Sequence, residues 1–232
     1  MDAFRRRTVL LLTGVPAACA MYRPGPIQLP IAAPSEAPKI RPVALGQQWI
    51  YRVRNVYNGE VVDQVTETVV ATSPVVRIER KGLGSNPLPD EIQSSWGMIV
   101  QEPYWGRPIE FATPVPAWPP ELKAGRELEY RTWFRGSADE GFYHYWDQTM
   151  RSMEWENVAV SGGRFQALRY DNSINYVSGD FYRIESERAD SIWFAPETGR
   201  WVLRRNHGQY LVPGRGGAMF EDYLQWELLA WR

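Results

Sequence analysis

The residues able to do acid–base chemistry are few and poorly placed. Only His144 and His207 supply imidazoles in a chain of 232 residues. The run Tyr143-His144-Tyr145-Trp146-Asp147 sets an imidazole three positions from a carboxylate. In a strand that spacing sends the two side chains to opposite faces, so they cannot serve as base and orienter without a group from elsewhere. Carboxylates pair up at Glu154 and Glu156, at Asp139 and Glu140, and at Glu185 and Glu187. The last pair shares a strand face, which an acid–base dyad for glycan hydrolysis needs. Arg183 beside it favours a solvated, charge-paired surface instead. No nucleophile elbow, zinc-protease helix, phosphate loop or dinucleotide fingerprint occurs. One cysteine allows neither an intramolecular disulfide nor a thiolate metal cluster. The expectation is therefore no catalytic residue, no metal and no cofactor. Lys plus Arg at 26 against Asp plus Glu at 27 gives a net charge of -1, which offers no footprint for nucleic acid.

The aromatics are the excess worth explaining: 11 Trp, 12 Tyr and 8 Phe. Such side chains line cavities, stack on flat ligands or fill a core. Trp49, Tyr51, Tyr130, Trp193 and Trp201 fall in alternating stretches and read as packing. Pro103-Tyr104-Trp105-Gly106 and Pro116-Ala117-Trp118-Pro119-Pro120 place large rings in proline-rich loops. Tyr104, Trp105 and Trp118 are the candidate contacts for a ligand or partner.

The N-terminus has the parts of an export signal: Arg5-Arg6-Arg7, a short apolar stretch from Val9 to Leu12, and small residues at Ala17-Ala18-Cys19-Ala20. Val15-Pro16-Ala17-Ala18-Cys19 resembles the lipobox of bacterial lipoproteins, with Pro16 where that family prefers Leu. The resemblance implies lipid on Cys19 and a membrane as partner. The alternative is ordinary cleavage after Ala20 and soluble secretion. Residues 21–42 carry Pro24, Pro26, Pro30, Pro34, Pro38 and Pro42, a spacing that forbids helix and favours an extended tether.

Those candidates must be positioned by strands. From Val43 onward the period is two: Trp49, Tyr51 and Val53 face one way, Arg52 and Arg54 the other. Asn58-Gly59 marks a hairpin into a Val- and Thr-rich return. Further strands are expected at 75–80, 96–101 and 127–134, within 142–160, at 164–176, 181–194 and 201–205, and near Leu224 to Leu228, where a short helix competes. Residues 81–95 and 112–125 read as loops from their Gly and Pro content. No long run at helical period appears. The expectation is one all-β domain over 43–232, an antiparallel, strongly curved sheet, open barrel or sandwich of about nine to eleven strands.

Gly163-Arg164-Phe165-Gln166-Ala167-Leu168, followed by Trp193-Phe194-Ala195-Pro196-Glu197-Thr198-Gly199, resembles a pattern in uncharacterised bacterial exported β-proteins. Gly46 to Tyr51 is similar to their G-x-x-W-x-Y opening. The resemblance implies a curved antiparallel sheet in the cell envelope, the periplasm or outer membrane, and brings no reaction. The functional expectation is a non-catalytic binding or assembly module for an apolar ligand or envelope protein. A glycan hydrolase using carboxylates and a purely structural envelope component are the alternatives. Two convergent carboxylates in a deep cleft would favour hydrolysis, and an aromatic trough without them would favour binding.

Overall fold

A computed structural model describes residues 26–104, 107–136, 142–180 and 182–232. Cys19, Trp105, Asp139 and Glu140 lie outside the described residues. Fourteen strands follow one another: β1 (Ile27–Ile31), β2 (Gln48–Asn55), β3 (Val61–Ala71), β4 (Val76–Lys81), β5 (Pro87–Ser95), β6 (Met98–Glu102), β7 (Ile109–Pro116), β8 (Glu127–Gly136), β9 (His144–Val160), β10 (Gly163–Tyr176), β11 (Ile184–Ala195), β12 (Arg200–Leu211), β13 (Met219–Phe220) and β14 (Leu224–Trp231). A 3-10 turn at Leu83–Ser85 is the only helical element among the described residues.

Neighbours pair antiparallel from β2 through β12, β14 pairs both β12 and β2, and β8 pairs β9. Twelve strands therefore close into a barrel, and closure leaves no edge within its wall. β1 and β13 are additions, on β9 and β12. The strand count exceeds the expected nine to eleven because two stretches expected as loops form strands and because β1 and β13 are added. β5 and β7 both carry prolines, and the registers show how. Pro87 and Pro89 precede the part of β5 that pairs β6, which begins at Ile92. Pro114 and Pro116 lie beyond the three residues of β7 that pair β8. Proline lacks the N–H a two-sided strand would need, and here each proline sits where one neighbour is missing. The C-terminal stretch is a strand, not a helix.

The Pro-rich stretch is extended, but Ile27–Ile31 is laid along Trp155–Ala159 of β9. That is possible because β9, 17 residues long, outruns β8, whose pairing stops at Arg151. β9 and β10 also contact strands they do not pair with, β9 reaching β12 and β14 and β10 reaching β12. The Trp193 indole N–H donates to Glu156 at 2.8 Å, and Gly162 N–H donates to Leu228 O at 2.9 Å. Ser161 donates through both its N–H and its hydroxyl to Glu227, which also pairs with Arg52 at 2.7 Å.

The barrel has two unlike ends. At one, Trp118 stacks on Phe194 and meets Trp96 edge-on, while Trp96 stacks on Trp49. Gly97, at φ +92, lies against Trp118 so closely that a Cβ would collide with the indole. This end is plugged. The other end carries the described residues of six connections, 56–60, 82–86, 103–104 with 107–108, 142–143, 177–180 with 182–183, and 212–223, and it is open.

Candidate functional site

Twelve strands enclose more space than aliphatic side chains fill, and here the interior is occupied by rings and ions. Tyr51 stacks on Trp201 at 3.9 Å and donates to its carbonyl, and Trp226 meets both rings edge-on. Against them lies a buried ionic cluster. Arg200 binds Glu67 through Nε at 3.0 Å and Nη2 at 2.8 Å, and binds Glu91 through Nη1 at 2.9 Å and Nη2 at 2.8 Å. Arg80 reaches Glu67 at 3.2 Å. Arg204 grips Asp190 with two hydrogen bonds, at 3.2 and 2.9 Å, and holds Glu102 more loosely at 3.5 Å.

Tyr104 is the hub. The guanidiniums of Arg80 and Arg204 both lie against its ring, their central carbons 4.4 and 4.5 Å from the ring centre. Its hydroxyl is 2.7 Å from Glu67 and 2.8 Å from Glu91, and accepts from Arg200. Burial pushes that hydroxyl well above its ordinary pKa. Burial alone would also raise Glu91, but the Arg200 guanidinium overrides it and holds the carboxyl well below the usual range. At Glu102 burial wins over Arg204, Asp190 adds repulsion, and the pKa rises to about 7.

The carboxylates that converge are therefore not those singled out by spacing. Glu185 and Glu187 are both exposed on β11, Glu185 at φ +48, and Glu187 accepts from Gln209. Glu154 is exposed while Glu156 is buried on Trp193. His144 faces Phe134, and Asp147 pairs with Arg131 at 3.3 Å, so the two do not meet. The sequence did hold a signal for part of the cluster. Glu67 lies in step with Val65 and Val69, and Arg80 in step with Val76 and Ile78, so alternation points both charges inward. Their partners on β5 and β12 had no such local sign.

The candidate contact residues separate. Trp118 is buried in the plugged end and Tyr104 in the ionic cluster. Both border a cavity of about 60 Å³ among Glu102, Asp190, Asn172 and Arg204, room for no more than a few waters. Tyr104 also forms the floor of a second cavity, about 820 Å³, at the open end. Phe134, Tyr176, Tyr210 and Phe220 supply its rings, and Arg107, Arg183 and Arg188 with Asp180, Glu221 and Asp222 its charges. Asn206, 2% exposed, borders it with an Oδ1 that has no hydrogen-bond partner.

The fold has solved counterparts. A candidate lipoprotein of Parabacteroides distasonis aligns with 85% of this chain and 100% of its own, at a TM-score of 0.51 and 11% identity. A candidate exported protein of Bacteroides fragilis, described as having a YmcC-like fold, aligns with 84% of this chain and 99% of its own, at 0.49 and 11%. No protein-family model and no curated protein matches the sequence. At such identity the likeness is one of fold.

Around the mouth, Tyr57, Phe142, Tyr182 and Phe220 are exposed on four different connections. Among the described residues no group of three or more His, Cys, Asp or Glu side chains is arranged to hold a metal ion.

Proposed function

We propose that this is an exported protein of the bacterial envelope, held by lipid on Cys19, that acts as a non-catalytic binding or assembly module through the open mouth of its barrel. The observation behind this reading is the division of space. The interior is filled by rings and paired ions around about 60 Å³, whereas about 820 Å³ opens at one end among exposed aromatics. The ligand surface is thus mixed, with tyrosine and phenylalanine faces beside arginines and carboxylates, rather than a buried apolar trough. The export signal and lipobox-like Cys19 agree with a fold found in a candidate lipoprotein.

Glycan hydrolysis gains no support from the convergent acids. Glu67, Glu91 and Asp190 are each tied to arginine, and the cavity beside Glu102 is too small for a sugar ring.

Two measurements test the reading. Intact mass of the membrane-extracted protein should begin at Cys19 with acyl chains, and the Cys19→Ala variant should lose them. An unmodified N-terminus at Met21 would remove the anchor. A photoreactive residue in place of Phe142 or Phe220 should form adducts in cells, whereas one in place of Leu45 at the plugged end should not. Equal labelling at both ends would remove the mouth.

A further inference from the structure

Glu221 occupies a cradle built for a carboxylate. Its Oε1 accepts from Arg183 Nη1 at 2.9 Å and lies 3.5 Å from the Tyr176 hydroxyl, while its Oε2 accepts from Arg188 Nε at 3.2 Å. Each oxygen thus takes its own guanidinium, a bridging geometry suited to a planar carboxylate. The floor is Gly208, where a Cβ would run into the Glu221 carboxylate and crowd Arg188 Cγ. A side chain at 208 would close the cradle, so glycine there keeps room for the anion.

The two sides of this contact differ in how firmly they are held. Arg183 lies over the Tyr210 ring at 4.2 Å, and Arg188 over the Tyr176 ring at 4.5 Å. Those rings belong to β12 and β10, in the barrel wall, and back the guanidiniums by contacts that do not involve Glu221; Arg183, on the connection before β11, also pairs with Asp180 at 3.6 Å. Glu221 instead follows the two-residue strand β13 and the loop Pro213-Gly214-Arg215-Gly216-Gly217. Its backbone is tied by Glu221 N–H to Gly208 O at 2.8 Å, and its neighbours Phe220 and Asp222 face solvent at the mouth. The two guanidiniums are backed by rings of the wall, and the occupant sits on a strap.

We infer that Glu221 is an internal stand-in for a carboxylate of the mouth's ligand, and that the strap 212–223 swings aside when that carboxylate takes its place between Arg183 and Arg188. This rests on the mouth as the binding site and adds the chemistry of what binds there. Displacement exchanges one carboxylate for another on the same donors, so its cost lies in the two-residue pairing of β13 and the backbone bond at Gly208, while the Val56 N–H bond to Tyr223 O at 2.8 Å can stay as the strap's hinge. A neutral ligand would have nothing to exchange.

The test uses the full mature chain with acetate as probe, titrated against chloride at constant ionic strength. Glu221→Gln removes the carboxylate that bridges the two guanidiniums and leaves Asp180 on Arg183 at 3.6 Å. Removing an occupant seated about nine-tenths of the time raises apparent affinity about tenfold. Saturation-transfer NMR should show that gain over the unsubstituted protein, and adding Arg188→Met should abolish it. In the unsubstituted protein, saturating acetate should speed hydrogen exchange at the Glu221 amide and leave Trp226 unchanged. Equal acetate affinity with and without Glu221→Gln, or a gain that survives Arg188→Met, would overturn the stand-in. The exchange measurement needs no substitution, so it decides the matter even where a variant folds poorly. Mouth photoadducts that persist without any acetate gain would sink the stand-in and leave the mouth. An acetate gain without mouth photoadducts would do the reverse.

Discussion

At the scale of residues, the buried cluster is unbalanced. Among the described residues three guanidiniums, of Arg80, Arg200 and Arg204, face four carboxylates, of Glu67, Glu91, Glu102 and Asp190. The most weakly paired acid is Glu102, which is why it takes up a proton near pH 7. Its folded pKa lies above the unfolded value of 4.5, so between pH 4.5 and about 7 the folded protein binds more protons than the unfolded chain. Stability therefore falls as pH rises through that window. Glu102→Gln lacks this titration. Relative to the unsubstituted protein it should gain up to about 3 kcal/mol between pH 4.5 and 8, at about 1.4 kcal/mol per pKa unit. Urea denaturation at the two pH values checks this, and a pH-independent difference would contradict it. Glu91 has the opposite sign: its carboxyl is held low by Arg200, so its contribution is present above the unfolded pKa and fades as pH falls below it. Arg200→Met, which strands Glu67 and Glu91 without their shared partner, should cost about 3–5 kcal/mol at pH 7. A loss under about 1 kcal/mol would mean that Arg80 and water replace it.

At the scale of elements, the alternation of β2, β3 and β4 could be read directly, because each has one face in the core and one in solvent. β5 and β7 could not, since proline content was weighed without knowing which neighbour each proline would lack. The ionic cluster was half legible. Inward charges show in the pattern of a single strand, but Glu67 and Arg200 are 133 residues apart, and their meeting depends on the register of the whole closed sheet. Likewise the aromatic excess was legible and its use was not, because a sequence does not tell a wide barrel's filler from a ligand's walls. β1 offers a test of how the added strands count. It covers only the β9 edge at Trp155–Ala159, and Ile27 and Leu29 remain exposed. A chain beginning at residue 33 should keep the barrel, with hydrogen exchange faster at Trp155 to Ala159 and unchanged along β2 and β3. Global unfolding of that chain would show that β1 belongs to the barrel's core.

At the scale of the whole molecule, the plugged end and the mouth are placed by the chain's own path. β9 runs from the mouth toward the plugged end, so β1, antiparallel to it, begins near the plugged end with Ile27 opposite Ala159. If Cys19 carries lipid, only residues 20–26 separate it from that point, a span of at most about 25 Å when fully extended. The plugged end must then lie near the bilayer and the mouth must point away. With the exposed rings at the far end, the mouth is offered to something other than the membrane that holds the anchor. Spin labels on the lipidated protein in vesicles measure this orientation. One label replaces Leu45, exposed where the chain enters β2 at the plugged end, and the other replaces Phe220 at the mouth. A lipid-chelated nickel relaxer should broaden the label at 45 strongly and the label at 220 little. The opposite order would mean that the mouth rests on the bilayer, and its aromatic rim would then be a lipid contact rather than a partner's seat.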